Sequence, residues 1–358
     1  IERVIDGGSF TTEAAILKAQ EMCLAVGLTG AHDMGVSPED IEVYRRLERD
    51  ARLKIRVYAM IHGAVAKEWF GANERIVGDR FTMRGTKLYM DGAMGSRGAW
   101  LKAPYEDRPT DDHGRPYTGL AVSDGAFVRD VARDAVAKGY QITVHAIGDR
   151  GNAEVLDAFS RFAPSPRAAS VPVPIPPRSF RIEHAQMLDL DDVPLMARLG
   201  VIASMQPTHC TSDMRWVEDR IGPERAKGSY AWATLLRAGV PVAFGSDFPV
   251  ESENPFLGLY AAITRQNLDG MPDGGWRPEE RVTRTEALRG FTLGAAYAEF
   301  TEDTKGSIEP GKFADFVVVD RDVMTCEVDD IPGTRVLATV IGGEVVFSTR
   351  EWRAVLAP

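Results

Sequence analysis

Cysteine is scarce and scattered: Cys23, Cys210 and Cys326 are the only three in 358 residues, an odd number with no CxxC spacing. That excludes a disulfide framework and a thiolate zinc knot, and the three read as buried thiols. Long apolar runs are missing too. No stretch of eighteen apolar residues occurs and no signal peptide opens the chain, so no membrane association is expected. Positive charge is in the minority, with 42 Lys and Arg against 52 Asp and Glu and a net charge of −10. Nucleic acid is therefore not an expected partner, because phosphate binding needs a basic face, and a neutral or cationic small molecule fits better. The cytoplasm is the expected compartment, with export left open because the chain starts at Ile1 rather than Met.

What is present is ordinary for a soluble globular enzyme: 44% hydrophobic and 26% charged residues, in a chain long enough for an α/β barrel with an appendage. Short apolar, β-branched runs alternate with amphipathic stretches, the pattern of repeated βα units around a parallel sheet. Residues 10–26 read as a helix with Thr11 or Thr12 as N-cap, stopped by Gly27. Strands are expected at 28–33 (LTGAHD), 55–61 (IRVYAMI), 86–90 (TKLYM), 142–146 (ITVHA), 180–185 (FRIEHA), 201–205 (VIASM) and 240–245 (VPVAFG). Near-continuous apolar character is what strands buried on both faces need. The doubly wound sheet is the competing fold, but no glycine-rich phosphate loop follows the first strand.

Beyond Gly290 the pattern becomes strand-rich at 306–320 and 336–347, with Pro310-Gly311 and Gly342-Gly343 as turns. The expected organisation is a barrel over 1–300 and the strands of a small β appendage over 301–358. The proline-rich stretch 164–177 reads as a surface loop.

The chemistry sits at the strand ends. Lys87 (TKLYMDG), His145 (ITVHAIGD), His184 (FRIEHAQ) and Asp247 (VAFGSDFP) each close a different strand, and the C-terminal ends of barrel strands build the active site. One such residue alone is more often a hydrogen-bonded core group than a ligand. Four at successive strand ends point to a divalent cation, with imidazole and carboxylate suited to zinc. Lys87 needs its own argument, since an ammonium binds no metal and burying one is costly. Carboxylation by carbon dioxide would make it an anionic ligand able to bridge two cations; a plain lysine paired with a carboxylate such as Asp91 is the alternative. Arg97, in GSRGAW, offers a planar fork either to a substrate carboxylate or to a structural salt bridge. His32-Asp33 faces the same mouth and reads first as a loop anchor.

The segments KLYMDGAMGSRGAW, TVHAIGD, RIEHAQ, SMQPTH, AFGSDFPVESENP and GSIEPGKFADFVVVD, in this order, resemble the amidohydrolase superfamily, and within it the YtcJ-like branch that includes N-substituted formamide deformylases. The resemblance implies a (β/α)8 barrel with a β-sandwich flank and one or two metal ions, zinc by expectation. It implies metal ligation by Lys87, His145, His184 and Asp247, with Lys87 carboxylated on the fourth strand and Asp247 doubling as general base. It further implies that Gln206 and His209 shape the substrate pocket, and that a homodimer forms. The family's first strand ends in a His-x-His pair, and the six histidines here include none. With seven strands counted where eight are needed, the expectation is an N-terminally truncated chain lacking the first strand and the upstream half of the sandwich.

If the site is complete, a metal-activated water attacks an amide, N-acyl or cyclic amide carbonyl. Asp247 takes the water's proton and passes it to the leaving nitrogen, and a donor such as His209 stabilises the oxyanion. Two other readings compete: a Schiff-base lyase using the Lys87 amine, and a non-catalytic barrel without its first-strand ligands.

Overall fold

A computed structural model describes residues 11–162 and 178–356. The proline-rich loop expected at 164–177 lies outside them. The first helix, α1 (Thr12–Ala25), begins where a hydroxyl can cap it: the Thr11 side chain accepts from the Ala14 amide. Gly27, at φ +85°, takes the left-handed conformation that turns the chain into the first strand. Seven parallel strands follow: β1 (Gly30–Val36), β2 (Arg56–His62), β4 (Phe81–Tyr89), β5 (Gln141–Ala146), β6 (Phe180–His184), β7 (Ile202–Met205) and β8 (Val242–Phe244). A two-residue strand, β3 (Ile76–Val77), pairs antiparallel with β4 and is not a barrel stave.

Between the parallel strands run α2 (Pro38–Arg49), α3 (Gly63–Ala72), α4 (Gly125–Ala137), α5 (Asp149–Ser160), α6 (Val193–Leu199), α7 (Pro207–Asp213), α8 (Val217–Arg225) and α9 (Trp232–Arg237), with α10 (Pro255–Thr264) after β8. The capping box of Ser37 and Asp40 starts α2, whose Ile41, Tyr44 and Leu47 fall on one face and are buried. Burying Ile41 and Leu47 contributes roughly 1.5–3 kcal/mol each, which is how the outer helices are held to the sheet.

The strand order β1-β2-β4-β5-β6-β7-β8 never reverses. A doubly wound sheet changes direction at a switch point, so this order excludes it and matches a barrel's winding. The ring is not closed. Among the described residues β1 and β8 do not pair, and a cavity of about 860 Å³ lined by both edges lies between them.

The second sheet is antiparallel, in the order β11-β10-β9, formed by β9 (Phe316–Val319), β10 (Val336–Ile341) and β11 (Glu344–Ser348). Gly342 and Gly343 both have positive φ in the β10–β11 turn, as a tight hairpin requires. This sheet is fastened to the barrel by the buried pair of Arg56 and Asp315, at 2.6 Å, and by the Thr339 hydroxyl, which donates to the Leu24 carbonyl. Cys23 and Cys210 are buried and Cys326 is partly so, all as free thiols. No helix among the described residues is long and apolar enough to cross a membrane.

Candidate metal centre

The C-terminal ends of β5 to β8 bring three imidazoles and a carboxylate together. His184 ends β6 and Asp247 follows β8, both with left-handed backbones, at φ +75° and +58°. Such conformations cost free energy in non-glycine residues and concentrate at functional sites. His209 lies in α7, directly after β7, and its Nε2 is 3.8 Å from an Asp247 oxygen. The rings of His184 and His209 stack with centroids 5.9 Å apart. One donor atom from each of His184, His209 and Asp247 falls within 4.8 Å of the others, close enough to share a cation.

Orientation of these groups comes from their neighbours. His184 Nδ1 is 2.8 Å from Gln206 Oε1. An amide oxygen only accepts, so the proton belongs on Nδ1 and the lone pair on Nε2 is left for a ligand. Gln206, expected from resemblance to shape the substrate pocket, thus contacts a histidine of the cluster. His209 Nε2 is buried without a hydrogen-bond partner. A buried imidazole nitrogen with no protein partner, beside a carboxylate, is a lone pair available to a cation, and the mixed N and O donors fit zinc or a similar divalent ion.

His145 stands one ring away, edge-on to His184 at 4.6 Å between centroids, with its Nε2 facing Asp91 at 3.5 Å. It is therefore outside the tight three-donor group but within its wall. Lys87 is buried, on the same inward face of β4 as Tyr89, and makes no hydrogen bond or salt bridge among the described residues. The carboxylates that act on it are Glu183 and Asp247. Asp91, the lysine partner suggested by sequence, is turned instead to the loop after β5.

Burial dominates the electrostatics. It drives His145 and His209 down to about 4, with the Lys87 charge adding to the effect on His145. It holds His184 well below the ordinary value, aided by His145, Lys87 and His209. The same burial pushes Asp247 up to about 6, opposed by Lys87. Neutral imidazoles are the form that ligates metal.

Arg97 is placed elsewhere. Its guanidinium makes a two-pronged contact with Asp107, at 3.0 and 2.8 Å, and Asp107 also receives Arg220, so the fork offered to a substrate in sequence is already filled. His32 accepts from Arg181 at 2.8 Å and faces Glu299, a wall position on the cavity.

Three site residues were not foreseen from the sequence. Glu183 and Arg181 form a buried ion pair at 2.5 Å, with a second contact at 3.2 Å, and Arg181 also donates to Ser204 at 2.8 Å. The signal was available, because two opposite charges two residues apart in an apolar strand must share one face. Tyr89, its ring centroid 5.3 Å from Lys87 Nζ and 5.7 Å from that of His145, adds a phenol to the mouth.

An amidohydrolase family model matches residues 11–347. The chain is 30% identical over 340 residues to the putative amidohydrolase YtcJ of Bacillus subtilis, covering 94% of this chain and 61% of that protein. It is 28% identical over 330 residues to the N-substituted formamide deformylase of Arthrobacter pascens, covering 89% of this chain and 57% of that one. Among solved structures, an uncharacterized metal-dependent hydrolase from Pyrococcus furiosus superposes with a TM-score of 0.76 at 31% identity, over 90% of this chain and 64% of the other. The chain thus spans roughly three fifths of the length of these curated relatives. The match of sequence and fold, running through both sheets, makes this chain a member of the amidohydrolase family.

Proposed function

We propose that the protein hydrolyses a C–N bond of an amide, N-acyl amine or cyclic amide at a divalent cation held by His184, His209 and Asp247, with His145 and Lys87 beside them. The observation that carries this reading is the convergence of three donors within 4.8 Å at strand ends. The names of the relatives, a deformylase and a putative amidohydrolase, support the bond class. When bound, such a cation, zinc by its donors, supplies Lewis acidity and lowers the pKa of a water toward about 7.

The chain's own residues then have defined tasks. Asp247 accepts a proton from the attacking water and returns it to the leaving nitrogen. Gln206 holds His184 in one tautomer and one orientation. Lys87, buried and unpaired, is the amine we place for carboxylation: its nitrogen bonds to the carbon of carbon dioxide and loses a proton. The Glu183 carboxylate acting on the same amine favours a second reading, an uncarboxylated Lys87 held by that charge. A carbon-13 NMR signal from labelled bicarbonate that is lost in Lys87→Met separates the two.

The test of the function is elemental analysis of the purified chain, followed by assay of formate or amine release from N-substituted formamides and cyclic amides. Bound zinc and turnover in the native chain, with turnover lost in Asp247→Asn at unchanged circular dichroism, are expected. Wild-type rates in Asp247→Asn, or hydrolysis untouched by complete chelation, would overturn it.

A further inference from the structure

At the opposite end of the barrel from the histidines, two arginines lie over one aromatic ring and a third flanks them. The β2–β4 register runs Ala59 to Met83 and then Met60 to Gly85, so Arg84 is the extra residue of a β-bulge. Bulges re-aim a side chain, and this one sends the Arg84 guanidinium over Phe300, 3.7 Å from the ring centroid. Arg178, just before β6, lies over the same ring at 5.6 Å and over Tyr297 at 4.7 Å. On the other side, the β3–β4 pairs are Ile76 with Met83 and Val77 with Thr82, and one more step of that register sets Arg75 against Arg84.

The group is short of negative charge. Arg84 makes no hydrogen bond or salt bridge among the described residues, and its Nε is buried without an acceptor. Arg75 donates to the Gly139 carbonyl, a neutral partner. Arg178 alone has a carboxylate, Glu302, at 2.6 Å. Glu74, next in sequence to Arg75, faces Lys138 instead. Burial, with Arg75 and Arg178 nearby, holds Arg84 below the usual arginine value; Tyr58 opposes the shift, and among the described residues no carboxylate does. Other arginines of this acidic chain behave differently: Arg56 takes Asp315 and Asp79, and Arg97 takes Asp107. Like charges set opposite each other in a sheet repel, so the arrangement is unfavourable unless something anionic joins it.

We propose that Arg84, flanked by Arg75 and Arg178, binds the phosphate group of a small molecule on the N-terminal face of the sheet, apart from the histidine site. Three cations against one carboxylate leave a surplus of two positive charges, and a phosphate monoester carries about −1.5 to −2 at neutral pH. The planar guanidinium fork matches phosphate oxygens in a bidentate contact, and stacking on Phe300 fixes the plane of that fork. This site does not depend on the hydrolytic reading.

The test is calorimetric titration of the full chain with inorganic phosphate, after chelation so that no cation at the histidine site takes part. Saturable binding of one phosphate per chain is expected. Arg84→Gln should weaken it about tenfold or more, since a charge-assisted hydrogen bond is worth roughly that factor. Arg84→Lys, which keeps the charge and loses the fork, should weaken it severalfold, and Arg97→Gln should leave it unchanged. Near-UV circular dichroism checks the fold, and if Arg84→Gln does not fold, the comparison rests on Arg84→Lys and the exposed Arg75→Gln. No saturable binding up to about 10 mM phosphate, a concentration that would fill most of a site with a Kd of about 1 mM, overturns the proposal. So does equal affinity in the native chain and the folded arginine variants, or an equal loss in Arg97→Gln.

Discussion

Oδ1 of Asp91 lies 3.5 Å from Nε2 of His145, and the same carboxylate accepts the amides of Trp100, Ile147 and Gly148 at 2.8 to 2.9 Å. One fully buried side chain therefore joins the loop after β4, the turn after β5 and the imidazole at the end of β5. Gly148 must be glycine for this: a Cβ there would lie 2.1 Å from the Trp100 carbonyl oxygen.

Asp91→Asn is expected to loosen His145 and the loop together. An amide group presents a donor where one backbone N–H now points, leaving a buried group unpaired at a cost of about 1–3 kcal/mol. Urea unfolding should show that loss, and competition with a chelator should show zinc affinity reduced by roughly 10- to 100-fold, the usual effect of losing a group that orients a ligand. Native zinc affinity in the variant would remove Asp91 from the site's support.

Gln206→Leu removes the acceptor for His184 Nδ1 while keeping a side chain of similar size in a buried position. Zinc affinity should fall by about 10- to 100-fold. If Gln206 instead contacts substrate, KM will rise at unchanged metal affinity, so the two measurements together decide its role.

Arg97→Gln breaks a contact with Asp107 that also involves Arg220. The melting temperature should drop slightly, while KM for an anionic substrate and for its neutral analogue should stay in the same ratio. A KM that rises for the anionic substrate alone would return Arg97 to the substrate pocket.

Asp213 gives a pH-dependent stability. Burial pushes its carboxyl up to about 6, although it accepts from Gln186 at 2.9 Å and from Tyr230. The folded protein then binds this proton more tightly than the unfolded chain, whose aspartate titrates near 3.9, so this group's contribution to stability falls as pH rises from about 4 to 6. Asp213→Asn cannot ionise. Its destabilisation relative to the native chain should shrink between pH 4 and pH 7 in urea unfolding, and a constant difference across that range would contradict the shift.

Much of this molecule was legible in one dimension. Apolar runs of five to seven residues located all seven parallel strands, five of them within two residues at each end, because strands buried on both faces read as continuous apolar runs; β1 runs on to Val36 and β4 begins at Phe81, five residues before the expected start, where Arg84 interrupts the apolar pattern. The two-residue β3 was invisible, being too short to carry a period. Among site residues, strand-end placement pointed to His145, His184 and Asp247, whereas His209 sits on a helix after β7 and entered only through resemblance. That His209 rather than His145 completes the closest group of donors, and that Arg97 is taken by Asp107, depends on loop paths that no local pattern encodes.

The sequence by itself determined the winding of the barrel, the acidic surface and the residue types able to hold a cation, since each follows from composition or from periods of two and 3.6 residues. Only the tertiary structure decided which donors meet, which tautomer His184 adopts and where three arginines share a single carboxylate. Those properties depend on distances between residues far apart in the chain, and such distances are fixed by packing and by β-bulges rather than by neighbours in sequence.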